Sequence, residues 1–254
     1  MSPVPPPHIL ILGGTTEASA LAAACAARGI SAILSYAGRT AAPAAQPVPV
    51  RVGGFGGIDG LAGYLAAARI THLVDATHPF AARISGNAVA AARIAGVPLL
   101  ALTRPAWRPV TGDRWTGVAD IAAAVGALDG PGRRILLALG RMHVAAFAAR
   151  PQHHYLLRFV DAPAVPPPLP HHTLVVDLGP FTLAGDRALM TAHRIDLIVA
   201  KNAGGTGAAA KLAAARALEL PVLLIDRPAM PDRAAVEDVA AVLDWLDHDI
   251  DRGV

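Results

Sequence analysis

The run His8-Ile9-Leu10-Ile11-Leu12 passes without a break into Gly13-Gly14-Thr15-Thr16-Glu17-Ala18. Four consecutive apolar residues after His8, with no polar alternation, read as a strand buried on both faces, which is the habit of parallel sheets. The glycine pair after it predicts a sharp turn. Glu17 to Arg28 then reads as a helix stopped by Gly29, and Ser31 to Tyr36 as a second strand, so His8 to Tyr36 spells a βαβ unit. The alternation continues outward from there. Val48 to Val52, His72 to Ala76 and Val97 to Leu102 read as strands, separated by helices over Ile58 to Arg69 and Pro79 to Ala95.

After Arg104-Pro105 the pattern weakens through Trp107, Pro109 and Trp115, and the first lobe is expected to end there. Strands are expected again over Arg134 to Leu139, Tyr155 to Phe159, Thr173 to Leu178, Asp196 to Ala200 and Pro221 to Ile225. Helices are expected over Met142 to Ala149, Leu183 to Ala192, Gly207 to Leu218 and Ala234 to Asp247. The predicted class is α/β, with two doubly wound Rossmann-like lobes over residues 1–104 and 105–254 and a cleft between them. The last helix is left free to cross back to the first lobe.

Composition narrows the function classes. Of 254 residues 54% are hydrophobic and only 16% charged, yet no uncharged apolar stretch reaches the ~18 residues of a membrane span. The segment before Ile9 has no basic part of a secretory leader, so cytoplasmic residence is the expectation. A lone cysteine, Cys25, sits among helix alanines and is expected to be a buried, inert thiol. The net charge is +3 and the cations are scattered, which argues against nucleic acid. Lys201 and Lys211 are the only lysines, and the remaining cations are arginines, suited to bidentate contacts with carboxylate or phosphate. His153-His154 and His171-His172 are adjacent pairs without a ligand framework, so no metal is expected and the rings are read as solvated.

A glycine turn between a strand and a helix aims unpaired N–H groups and the positive helix end at a phosphate. Gly13, Gly14, Thr15 and Thr16 are therefore candidate phosphate contacts, the alternative being a tight structural turn, since the pattern is not GxGxxG. No Asp or Glu occurs between Ala18 and Ile58, where a ribose-binding acid would stand in an NAD site; the second strand runs instead into Tyr36 and Arg39. Arg39 is expected at a 2′-phosphate and Tyr36 near an adenine, which favours NADPH. Gly53 and Gly54 end the third strand and admit close approach of a ligand or simply a flexible loop. Thr77 and His78 end the fourth strand as cofactor contacts, or in the case of His78 as a structural cap.

In the second half, Lys201 ends an apolar strand and precedes Asn202-Ala203-Gly204-Gly205. Lys201 reads as a contact for a ligand carboxylate, or as an ordinary strand-end lysine. Arg141 reads as a carboxylate clamp or a helix-start charge, and Lys211 as a helix-surface charge.

Four segments in order resemble the precorrin-6A/cobalt-precorrin-6A reductase family of cobalamin biosynthesis. They are Ile11-Leu12-Gly13-Gly14-Thr15-Thr16-Glu17-Ala18, Asp75-Ala76-Thr77-His78-Pro79-Phe80-Ala81, Arg104-Pro105-Ala106-Trp107 and Ala200-Lys201-Asn202-Ala203-Gly204-Gly205. Ala203 stands where the family carries serine. The resemblance implies hydride transfer from NADPH to a C=C bond of precorrin-6A, giving precorrin-6B, with Lys201, Asn202, Gly204 and Gly205 toward the tetrapyrrole and Lys201 binding a carboxylate or neutralising charge during reduction. The cobalt-bearing intermediate as substrate, or a non-catalytic NADP(H) sensor, are the alternatives. A monomer or weak oligomer is expected.

Overall fold

The structure, a computed structural model, describes residues 6–38, 45–177, 179 and 181–251. Each half of the fold is a six-stranded, all-parallel sheet. In the first, β1 (His8–Leu12), β2 (Ser31–Tyr36), β3 (Val50–Val52), β4 (His72–Asp75) and β5 (Leu99–Leu102) are joined by helices α1 (Thr16–Ala27), α2 (Ile58–Ala67) and α3 (Ala82–Ala95). β1 pairs with β2 on one side and with β4 on the other. The two side-chain rows of β1 serve opposite layers, as its unbroken apolar run requires. Ile9 and Ile11 pack with Leu21 and Cys25 of α1, while Leu10 and Leu12 pack with Leu61 and Leu65 of α2 and Ala88 of α3.

The second sheet contains β6 (Trp115–Val118), β7 (Arg134–Ala138), β8 (His154–Phe159), β9 (His172–Val176), β10 (Leu197–Lys201) and β11 (Val222–Ile225). Its helices are α4 (Ile121–Gly126), α5 (Leu183–Ala192) and α6 (Ala210–Ala217), and a 3-10 helix covers Arg141–Ala149, where an α-helix is expected from the sequence. One face buries Leu136, Leu156, Ile198 and Leu224 against Met190 and Leu212. On the same core strands, Tyr155 is fully buried beside Phe147, with ring centroids 6.0 Å apart, and its hydroxyl donates to the carbonyl of Arg150 at 2.9 Å.

The strand orders expose how the chain is threaded. The first sheet runs β12-β5-β4-β1-β2-β3, with β12 (Ala235–Val236) added from near the other end of the sequence, and the second runs β6-β11-β10-β7-β8-β9. Counted from its central strand, each sheet has the order 3-2-1-4-5-6 of a doubly wound dinucleotide fold. In each, the sixth strand is supplied by the chain segment that follows the fifth strand of the other sheet. The compact units accordingly comprise residues 1–105 with 229–254, and residues 106–228. Residues 229–251, counted with the second lobe by position but with the last helix left free to cross back, pack with the first. After β12, α7 (Val239–Asp251) lays Val242 and Leu246 onto the core of α1 and β1.

The helix expected over Ala234 to Asp247 thus starts late, because Ala235 and Val236 are taken by β5 through pairing with Ala101 and Leu102. β6 and α4 have no counterpart in the sequence reading. No helix among the described residues is long and apolar enough to cross a membrane.

Candidate functional site

The Gly13-Gly14 turn is held from below. The N–H of Gly13 donates to the carbonyl of Ser35 at 2.8 Å, and a Cβ on Gly13 would lie 2.7 Å from a terminal methyl of the buried Leu34, which would have to shift to admit it. Gly14 has φ +119, which disfavours any L side chain, and its missing Cβ points into open space. Thr15 caps α1: its hydroxyl accepts the N–H of Ala18 at 3.1 Å and donates to the carbonyl of Ala76 at 2.7 Å. That proton is therefore committed to the end of β4. What Thr15 offers a ligand is its backbone edge, beside the other first-turn N–H groups that lack an intrahelical acceptor.

The hydroxyl of Thr16 donates to Glu17 at 3.1 Å, and Arg104 reaches both oxygens of Glu17 at 3.3 Å. An open glycine face at a capped helix N-terminus is a donor set that fits a dinucleotide phosphate.

Around this turn stand the other strand ends of the first unit. Tyr36 is half-buried at the end of β2, and its carbonyl accepts the N–H of Gly53 at 2.9 Å. Arg39 lies outside the described residues. Gly53 and Gly54 are clamped by a residue that the sequence reading passed over. Arg51 donates to their carbonyls at 2.6 and 2.7 Å while its guanidinium lies 3.8 Å from the centre of the Phe55 ring. The arginine inside a short strand, two residues before a glycine run, was the available signal.

At the end of β4, buried Asp75 organises the Thr77-His78 loop. One carboxylate oxygen accepts the backbone N–H and the hydroxyl of Thr77 at 3.2 and 2.7 Å; the other faces Arg233 at 3.4 Å. His78 accepts the N–H of Phe80 on Nδ1 at 3.2 Å, which puts the ring proton on Nε2. It thus acts as a cap in this loop, whatever else it touches.

The second unit gathers its own group. Lys201 is the half-buried last residue of β10. Both ends of the Asn202 amide are engaged by the backbone of Trp107: the oxygen accepts its N–H at 2.8 Å, and the amide nitrogen donates to its carbonyl at 3.1 Å. Asn202 therefore fastens the loop. The Trp107 indole donates to the carbonyl of Gly205 at 2.8 Å. Gly204 and Gly205 hold φ of +70 and +71. Arg227 donates to the carbonyls of Asn202 and Ala203 at 2.9 and 3.1 Å.

Lys211 is not the surface charge expected: it is buried, donates to the carbonyl of Ala208 at 2.6 Å and lies 4.9 Å from the Trp107 ring centre. The helix carrying it packs its inner face on β10, and the long stem follows. Arg141 is exposed and 4.0 Å from Asp161, a distance at which the pair contributes little. The solvated reading of the histidine pairs fails at His153, which is buried with Nε2 bonded to the carbonyl of Leu128 and Nδ1 accepting the N–H of Arg133. Among the described residues, no group of three or more His, Cys, Asp or Glu is placed to hold a metal ion.

The chain matches the family model described as precorrin-6x reductase CbiJ/CobK over residues 8–247. It is 55% identical to the precorrin-6A reductase of Rhodobacter capsulatus over 242 residues, covering 95% of this chain and 96% of that one. The precorrin-6A reductase of Rhodococcus erythropolis is 50% identical over 241 residues, covering 94% and 97%. Among solved structures, CobK precorrin-6A reductase superposes with a TM-score of 0.92 at 54% identity, covering 95% of this chain and 96% of that one. With the model spanning both sheets and relatives of nearly equal length, the chain belongs to the precorrin-6x reductase CbiJ/CobK family.

Proposed function

We propose that this chain reduces precorrin-6A to precorrin-6B with NADPH in the assembly of the corrin ring. The observation that carries the reading is the open Gly13-Gly14 turn at the capped N-terminus of α1, in a chain 55% identical to a precorrin-6A reductase. NADPH supplies the hydride when bound; the protein's part is to bind, orient and balance charge. In the first unit, the backbone edge of Gly14, Thr15 and Thr16 takes the pyrophosphate, Tyr36 lies toward the adenine, and Gly53, Gly54, Thr77 and His78 border the same strand ends. Arg39 takes the 2′-phosphate.

In the second unit, Lys201 with the Gly204-Gly205 loop and Arg141 receives the acetate and propionate carboxylates of the macrocycle. Lys201 also offsets negative charge as the ring is reduced.

Purified protein mixed anaerobically with precorrin-6A should consume NADPH, followed at its absorbance band, and yield a tetrapyrrole reduced by two electrons. NADPH that binds and is not consumed would overturn the reading. Arg39→Ala should weaken NADPH by about 2 kcal/mol and leave NADH unchanged, since only the former carries the phosphate.

A further inference from the structure

Two short segments of the chain match each other. Arg104-Pro105-Ala106 follows β5, and Arg227-Pro228-Ala229 follows β11; both contain the point at which the chain leaves one compact unit for the other. Downstream, Val118-Ala119-Asp120 and Val236-Glu237-Asp238 each run from the sixth strand of a sheet into a helix. In both, the aspartate accepts the N–H three residues on at 2.8 Å. The two crossings are equivalent parts of two similar units, so a feature found at both arginines is not a local accident.

That feature is a tie to a glycine-rich loop within the same unit. Arg104 holds Glu17, one residue beyond the Gly13-Gly14-Thr15-Thr16 turn, and Arg227 holds the carbonyls of Asn202 and Ala203 ahead of Gly204-Gly205. The physical need is the same in both. Glu17 places a carboxylate on the first turn of α1, where a second anion would be repelled unless a cation balances it. Its side chain is 24% exposed and that of Arg104 16%, so water does little of the screening. In the other loop the negative groups are carbonyl oxygens. The guanidinium of Arg227 occupies two of them and the Trp107 indole a third, which turns acceptors away from a carboxylate-bearing ligand.

We propose that Arg104 and Arg227 are matched positioning residues, one for each unit. Arg104 makes the turn before α1 receptive to the cofactor phosphates by neutralising Glu17. Arg227 makes the 202–205 loop receptive to the tetrapyrrole carboxylates by holding its carbonyls. The inference rests on the assignment of NADPH to the first unit and the tetrapyrrole to the second.

Equilibrium titrations without turnover test it. Arg104→Gln should raise the NADPH dissociation constant roughly tenfold, about 1.4 kcal/mol, and adding Glu17→Gln should bring it back to within about twofold. Arg104→Lys should keep affinity, because it keeps the charge. Arg227→Gln should raise the dissociation constant of precorrin-6A roughly tenfold while that of NADPH moves less than about twofold.

An Arg104→Gln loss that Glu17→Gln fails to restore would make the arginine merely structural and overturn the first half. Equal losses of both ligands in Arg227→Gln, or none, would overturn the second. If Arg227→Gln does not fold, Arg227→Lys decides, since a single ammonium cannot serve both carbonyls; unchanged precorrin-6A binding in that variant would overturn the assignment. An unaltered chain that binds both ligands and reduces nothing would sink the functional reading, and the titrations would still decide this one.

Discussion

Cys25 illustrates how a residue with no part in the site sets the conditions under which the site survives. It is fully buried between α1 and β1, and burial pushes its thiol up to about 11, against an ordinary value of 9.0. The native thiol stays protonated where the unfolded one ionises. Its contribution is therefore whole below pH 9 and drains as pH climbs toward 11, by about 3 kcal/mol at most for a two-unit rise. Tyr155, also pushed up by burial, to about 12, extends the same loss to higher pH. Cys25→Ala should flatten the fall in urea-unfolding stability between pH 9 and 11, and native Cys25 should resist alkylation at pH 8 until denaturant is added; prompt alkylation without denaturant would contradict the burial. The inertness of this thiol was legible in its alanine surroundings. The burial of Lys211 and His153 was not, because a single polar residue on a helix or at a strand start carries no sign of which neighbours will satisfy it.

Among the elements, β1 and α1 were the most legible, since an unbroken apolar run and a glycine stop leave few alternatives. The least legible were β6 and β12. Trp115-Thr116-Gly117-Val118 is a half-exposed edge strand containing glycine, and β12 is two residues long, so neither has enough periodicity to detect. The join between β1, α1 and β4 rests on Thr15, which caps the helix and ties it to Ala76 with one hydroxyl. Thr15→Ala should cost about 1–2 kcal/mol, at the upper end for a cap because the second bond goes with it. Thr15→Ser should retain most of that stability. Thermal unfolding of the two variants checks this, and equal midpoints would show that the hydroxyl contributes nothing. The candidate contacts at glycine turns were readable because glycine there is a steric demand. The ties made by Arg104, Arg227 and Arg233 were not, since arginine is common in this chain and their partners lie far along the sequence.

For the whole molecule, two doubly wound sheets could be inferred from the alternation of strands and helices, but not the trading of their sixth strands, which depends on where two short segments pair. The trade makes the two units unequal as fragments. Residues 106–228 contain all six strands of their sheet, whereas residues 1–105 lack β12 and the α7 side chains Val242 and Leu246 that close their core. Expressed separately, 106–228 should show a cooperative urea transition by far-UV circular dichroism, and 1–105 should not; a cooperative 1–105 fragment would mean that β12 and α7 are dispensable. The same threading inverts the order of birth on the ribosome. The segment made first cannot finish folding until Ala235–Val236 has been translated, about ten seconds after β5 at ordinary elongation rates and just after the middle of the chain has received β11, its own last strand. For that interval the nascent first sheet keeps β5 as an uncovered edge. A chaperone that shields nascent chains would find its client at the N-terminal half of this protein, and slow translation of the middle would lengthen the exposure.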